Sequence, residues 1–109
     1  MSDDHDRAFT ANLLLERLEL KRDIASIKAD LIKRAEVITK LGGLLRSSPL
    51  AVDIGGQHIS TEFASRAQKF EAEDLDLNRV AALVDELRTK TEKLGGAERQ
   101  IRDRGYSLD

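Results

Sequence analysis

The sequence has no cysteine, one proline and few aromatic residues, 4% of the total. Without cysteine, a disulfide framework, a thiol nucleophile and a thiolate metal site are excluded. No window approaches the roughly 20 apolar residues that a membrane-spanning helix needs, and the N-terminus lacks the basic start and apolar core of a signal peptide. We therefore expect a cytoplasmic protein without a membrane anchor.

The chain also lacks a large net charge of either sign. The chain carries 18 lysines and arginines against 20 aspartates and glutamates, and the two signs are mixed along it. This balance gives no general attraction to nucleic acid or anionic lipid. Nucleic acid is therefore an unlikely partner, although a small nucleic-acid-binding protein or a phage or secretion accessory protein stays open as an alternative.

The residues that are present favour long helices. Charged residues make up 35% and hydrophobic residues 40% of the 109 positions, a composition typical of coiled coils. This length suits one domain. We predict a mainly α-helical fold, a long antiparallel helical hairpin or coiled coil with a short β-hairpin between the helices.

Helix one is predicted over residues 7–41, after a flexible N-terminus at residues 1–6. Its apolar seam steps by four and three residues, the heptad spacing of helices that pack together: Leu13, Arg17, Leu20, Ile24, Ile27, Leu31, Arg34, Ile38, Leu41 and Leu45. Flanking apolar residues widen this stripe, which predicts more than one neighbouring helix: Leu14, Leu18, Ala25, Ile32 and Ala35.

Two arginines, Arg17 and Arg34, interrupt the seam. An unpaired buried charge costs several kcal/mol, so each needs an explanation. Either the aliphatic stem packs while the guanidinium reaches water, or the arginine pairs with a carboxylate of a partner helix and fixes its register.

Helix two is predicted over residues 61–94, with Phe63 and Phe70 on its apolar side. Near residues 74–77 the apolar spacing resets by three residues, and Asp74 and Asp76 are good N-cap residues for a new helix. Two versions therefore stay open, one continuous helix or a break that creates a third helix. We favour the continuous version because neither glycine nor proline falls there.

The apolar rows of both predicted helices lead to the same tetrapeptide, Lys-Leu-Gly-Gly, at residues 40–43 and 93–96. Lysine in a last turn and glycine just beyond it are typical of helix C-termini, so we predict that both helices end there. Residues 97–109 would then add one or two helical turns at most and fray as a solvated tail.

Between the helices, residues 50–60 predict a β-hairpin that turns at Gly55-Gly56, because primed turns require positive φ. This register pairs Val52 with Ile59, and it places Val52, Ile54 and Ile59 on one face, which must rest on the helices or on another copy. It also pairs Asp53 with His58, and we expect this polar pair to face solvent. Pro49 bars continuation of helix one.

Residues suited to chemistry are scarce. The two histidines, His5 and His58, are far apart, and no serine lies in the context of an activated nucleophile. The glycine pairs lack the order that a phosphate-binding loop needs. We predict no catalytic residue, no metal site, no cofactor and no enzymatic activity.

The expected function is that of a protein–protein interaction module, a coiled-coil scaffold, adaptor or regulatory subunit that forms a homo-oligomer or docks on another protein. The candidate interaction residues are Leu20, Ile24, Ile27, Leu31, Ile38, Val52, Ile54, Ile59, Phe63 and Phe70. The order helix, small β-hairpin, helix resembles that of prefoldin subunits, which implies an ATP-independent holdase as an alternative.

Overall fold

A computed structural model describes the backbone of residues 3–56 and 67–106, with side chains from Arg7 onward. The described part is mainly helical, as predicted. Its elements in chain order are helix α1 (Asp3–Ser47), a 3-10 turn (Pro49–Ala51), strand β1 (Val52–Ile54), strand β2 (Gln68–Phe70), a second 3-10 turn (Ala72–Leu75) and helix α2 (Leu77–Asp103).

Helix α1 is longer than the sequence predicted at both ends. It begins at Asp3 and continues through Gly42 and Gly43 to Ser47, so the predicted end at Leu41 is wrong. Neither glycine has the positive φ of a C-cap. The helix stops just before Pro49, whose ring and missing N–H bar continuation.

Helix α2 begins at Leu77, which confirms a new helix start near residues 74–77 and makes the continuous helix from residue 61 wrong. The short preceding helix of the version with a break is also wrong at residues 68–70, which form a strand. Asp76 is the N-cap of α2. The Asp76 Oδ1 accepts the backbone N–H of Asn78 at 2.9 Å and that of Arg79 at 3.3 Å. These bonds satisfy amide groups that have no partner within the helix, which fixes its start at this residue.

The C-terminus of α2 also lies beyond its predicted position. The helix continues through Gly95 and Gly96 to Asp103, which makes the predicted end at Leu94 wrong and most of the predicted tail helical. The real cap is Gly105, with φ 86°. The Gly105 N–H donates to the Arg102 carbonyl at 2.8 Å and the Tyr106 N–H to the Ile101 carbonyl at 3.3 Å, which is the Schellman pattern.

Strands β1 and β2 form a parallel pair, with Val52 opposite Gln68 and Ile54 opposite Phe70. The sequence had assigned residues 68–70 to a helix. Gly55 and Gly56 have φ of 68° and 69°, the positive values that the predicted turn required. The other predicted strand, with Ile59 and the Asp53–His58 pair, lies outside the described residues.

The side chain of Asp53 is buried, with 8% of its surface exposed, while Val52 and Ile54 on either side are half-buried. The expectation that Asp53 faces solvent is therefore wrong. Its Oδ1 has no hydrogen-bond partner among the residues that the structure describes. A buried carboxylate oxygen in this state opposes folding, because it loses water without gaining a donor.

Two compact units are distinguished along the chain, one made of Met1–Lys28 with Leu83–Asp109 and the other of Ala29–Ala82. In the first unit, α1 and α2 run antiparallel, as predicted. Asp23 contacts Lys90 at 2.9 Å, and the Arg104 guanidinium lies 4.4 Å from the centre of the Phe9 ring. The earlier of these two α1 residues thus contacts the later position, at the C-terminal end of α2, and the later one contacts the earlier position.

Candidate interaction surface

One apolar stripe of α1 is covered within the chain itself. In the first unit the apolar residues of its seam are at most a tenth exposed, and so are the α2 residues of the same core. Ile101 has no exposed surface. This core consists of Leu13, Leu20, Ile24, Ile27, Leu83, Ala97 and Ile101.

A second apolar row lies on the opposite side of α1, because successive residues of an α-helix turn by about 100°. We call it the outer row; its members are Ala11, Leu14, Leu15, Leu18 and Ala25. Leu15 and Leu18 are each 55% exposed and Leu14 is 38% exposed. The steps from Ala11 to Leu15 and then to Leu18 are four and three residues, and Arg22 and Ala25 continue them. The outer row is therefore a second heptad seam without a covering helix among the described residues.

The charges beside the outer row are segregated by sign. On the side of Leu14 lies a basic flank formed by Arg7, Lys21 and Lys28, all exposed. On the side of Leu15, between the outer row and the core, lies an acidic flank formed by Glu16, Glu19 and Asp23. This placement follows from the sequence, because residues three, four or seven apart share a side of a helix.

The acidic flank takes part in the contact between the two helices. Lys90 of α2 donates to the Asp23 Oδ2 at 2.9 Å. This hydrogen bond raises the pKa of Lys90 above 10.5, since it favours the charged ammonium form. For the basic flank, the described part of the chain shows no ion pair, so its cations face solvent.

The outward side of α2 is polar. It exposes Asp85, Arg88, Glu92 and Arg99, and Asp85 and Arg88 pair with each other at 3.4 Å. The other large exposed apolar residues described in this unit are Phe9, which Arg104 covers on one ring face, and Tyr106. Exposed leucines in this unit are thus concentrated on the outer row.

In the second unit, the seam arginine Arg34 is held by its own surroundings. Its Nε donates to Asp30 Oδ1 at 2.9 Å, one turn earlier in α1, and its Nη1 donates to the Glu73 carbonyl at 3.1 Å. Arg34 therefore pairs with an acid of its own helix, whereas one hypothesis had placed the carboxylate on a partner helix. Arg17, in the first unit, is half-buried.

The candidate interaction residues fall into several groups. Leu20, Ile24, Ile27 and Phe70 are buried within the chain, and Leu31, Val52 and Ile54 are half-buried. Ile38 is 37% exposed. Ile59 and Phe63 lie outside the described residues. The outer row was missed as a site although its signal was present, since Leu14, Leu18 and Ala25 already suggested a second neighbouring helix.

The described residues also limit other kinds of site. No described helix combines the length and apolar character needed to cross a membrane. Within the same residues, no cluster of three or more histidine, aspartate or glutamate side chains is arranged to hold a metal ion.

The chain matches no known family model, no curated protein and no solved structure.

Proposed function

We propose that this protein is a non-enzymatic interaction module that binds a helix of another molecule along the outer row of α1. The observation that supports it is the second heptad seam. One heptad row of α1 is covered by α2, and another, with Leu15 and Leu18 more than half exposed, has no covering element among the described residues. A row of apolar residues at heptad spacing is the surface on which a further helix packs.

The size of the outer row suits a reversible contact. From Ala11 to Ala25 it extends about 21 Å along the helix axis, at a rise of 1.5 Å per residue. Complete burial of a leucine side chain stabilises by about 1.5–3 kcal/mol, so covering the exposed parts of Leu14, Leu15 and Leu18 contributes about 1 kcal/mol each. Affinity beyond this depends on the polar contacts at the edges.

A binding role accounts for the charged residues better than a catalytic one. Asp30 with Arg34, and Asp85 with Arg88, pair along a helix surface at four- and three-residue spacing. Such pairs each stabilise a helix by a few tenths of a kcal/mol and supply no acid and base converging on a substrate.

A photo-crosslinking residue placed at Leu18 tests this function in cells that produce the protein. A matched probe at Glu92, on the polar outward side of α2, is the control. We expect a discrete protein adduct from position 18 that is absent from position 92 and weaker when Leu15→Gln is added. Equal adducts from both positions, or adducts from neither, would refute the proposed function.

A further inference from the structure

We infer that the partner on the outer row is an amphipathic helix of a different protein, with an apolar row bordered by aspartates or glutamates. This inference rests on the proposed function and specifies its partner. Charge complementarity favours this partner, since the edges of a helix–helix contact set both partner choice and orientation.

The basic flank supplies the complementary charge. Arg7, Lys21 and Lys28 lie at seven- or fourteen-residue intervals along one side of the outer row, so each lies close to the edge of a helix packed there. Arg22 lies within the row itself, between Leu18 and Ala25. A covering helix would bury part of its guanidinium, and a carboxylate opposite it offsets that cost.

A second copy of this chain is a poor occupant of the same surface. A parallel pair would place the basic flank of one copy beside the acidic flank of the other, but equivalent positions meet, so Arg22 would lie against Arg22 of the other copy inside the contact. In an antiparallel pair, the same flank of each helix meets, and Lys21 and Lys28 would face the basic flank of the other copy. Each arrangement therefore contains an unfavourable pairing of like charges.

An anionic membrane is favoured less than an acidic helix. Glu16, Glu19 and Asp23 border the other side of the same row, and a helix lying on an anionic surface would bring these carboxylates close to the lipid phosphates. A helix partner avoids this conflict because its two edges can carry different charges.

The test uses the full chain and designed helical peptides of about 25 residues, a length that forms a stable helix when the sequence is rich in good helix formers. All peptides share one leucine row and one edge of glutamines, and they differ only at the other edge, which is all glutamate, all glutamine or all lysine. Fluorescence anisotropy gives Kd for each peptide at low and high salt. We expect the glutamate peptide to bind about tenfold more tightly than the glutamine peptide at low salt, and the advantage to shrink at high salt.

Charge reversal then identifies the surface. The double variant Lys21→Glu with Lys28→Glu is expected to prefer the lysine peptide over the glutamate peptide. Lys93→Glu on α2 is the matched control and is expected to keep the original preference. Far-UV circular dichroism of each variant establishes that the exposed substitutions leave the fold intact.

The remaining outcomes separate the inference from the proposed function. Equal affinity for all three peptides, lost with Leu15→Gln and Leu18→Gln, would overturn the acidic partner while supporting the module. Dimers in sedimentation equilibrium that those substitutions dissociate would overturn it in favour of a second copy. Binding to vesicles rich in phosphatidylserine, in preference to every peptide, would overturn it in favour of a membrane. Failure of all peptides to bind also overturns it, and the crosslinking experiment then decides the proposed function separately.

Discussion

Replacing Gly95 or Gly96 by alanine is expected to stabilise the protein. Both glycines lie inside α2, neither has positive φ, and a Cβ added at either position meets no atom within 4 Å. Alanine therefore enters without strain or collision. Glycine in a helix interior is less favourable than alanine by roughly 0.5–1 kcal/mol, because it loses more backbone freedom on folding.

The size of the effect follows from summing the helix-propensity difference of each position, since neither added Cβ meets another atom within 4 Å. Gly95→Ala and Gly96→Ala together should raise the free energy of unfolding by about 1–2 kcal/mol. For a domain of this size, each kcal/mol raises Tm by about 4–8 °C. Thermal and urea denaturation, both followed by far-UV circular dichroism, measure the change.

Gly105→Ala is the control, because Gly105 has φ 86° and forms the Schellman cap of α2. Alanine in the left-handed region costs about 1–2 kcal/mol, so this variant should be destabilised. A loss of stability in Gly95→Ala and Gly96→Ala would refute the reasoning. It would mean that α2 ends at these glycines, as their sequence context first suggested.

Three further perturbations test the core, the strand pair and the contact between the helices. Ile101→Ala removes a side chain with no exposed surface. It should lower the free energy of unfolding, measured by urea titration, by about 2–5 kcal/mol. A loss below about 1 kcal/mol would contradict the placement of Ile101 in the core. Asp53→Val replaces a buried carboxylate whose Oδ1 has no partner within residues 3–56 and 67–106. This substitution should stabilise the protein by about 1–3 kcal/mol in the same assay, whereas destabilisation would show that the carboxylate has a favourable role. The raised pKa of Lys90 means that its bond to Asp23 stabilises fully below pH 10.5 and is lost as pH rises through the raised value. The stability difference between the wild type and Lys90→Met should therefore shrink in alkaline solution, and a difference that grows with pH would contradict the pairing.

The sequence contained enough information for the helical class and for the start of α2. Heptad spacing predicted two long helices that pack antiparallel, and Asp76 is the N-cap that its residue type indicated. Pro49 likewise terminates α1, as a residue without a backbone donor must. These features depend on local chemistry that a short window of sequence contains.

Other features could not be predicted from the sequence, because local preference and packing compete there. Gly42-Gly43 and Gly95-Gly96 have the context of C-caps, but a helix tolerates a penalty of about 1 kcal/mol per glycine when packing holds its other residues. Residues 68–70 fit the spacing of a helix that contains Phe63 and Phe70, and only the pairing with β1 makes them a strand. Three residues are too few for periodicity to decide between the two.

The candidate surface shows a different limit of prediction from sequence. Periodicity reveals that α1 has apolar residues on more than one side, as Leu14 and Leu18 indicated, but it does not say which side the chain covers itself. The stronger seam contains Leu20, Ile24 and Ile27. These residues are covered by α2, so they belong to the core of the single chain. In the first unit, the weaker seam, which combines leucines with the smaller alanines, is the one that stays exposed.

The most direct test of the outer row as a binding surface is an NMR titration of the isotopically labelled protein with the glutamate-flanked peptide. The account predicts that the largest backbone shift changes fall on α1 between Ala11 and Ala25, and that Leu15→Gln with Leu18→Gln abolishes them. Shift changes centred on the outward side of α2, around Asp85 and Glu92, would contradict the account. Changes spread over the core residues Leu20 and Ile24 would also contradict it, because they would mean that the peptide binds by separating α1 from α2.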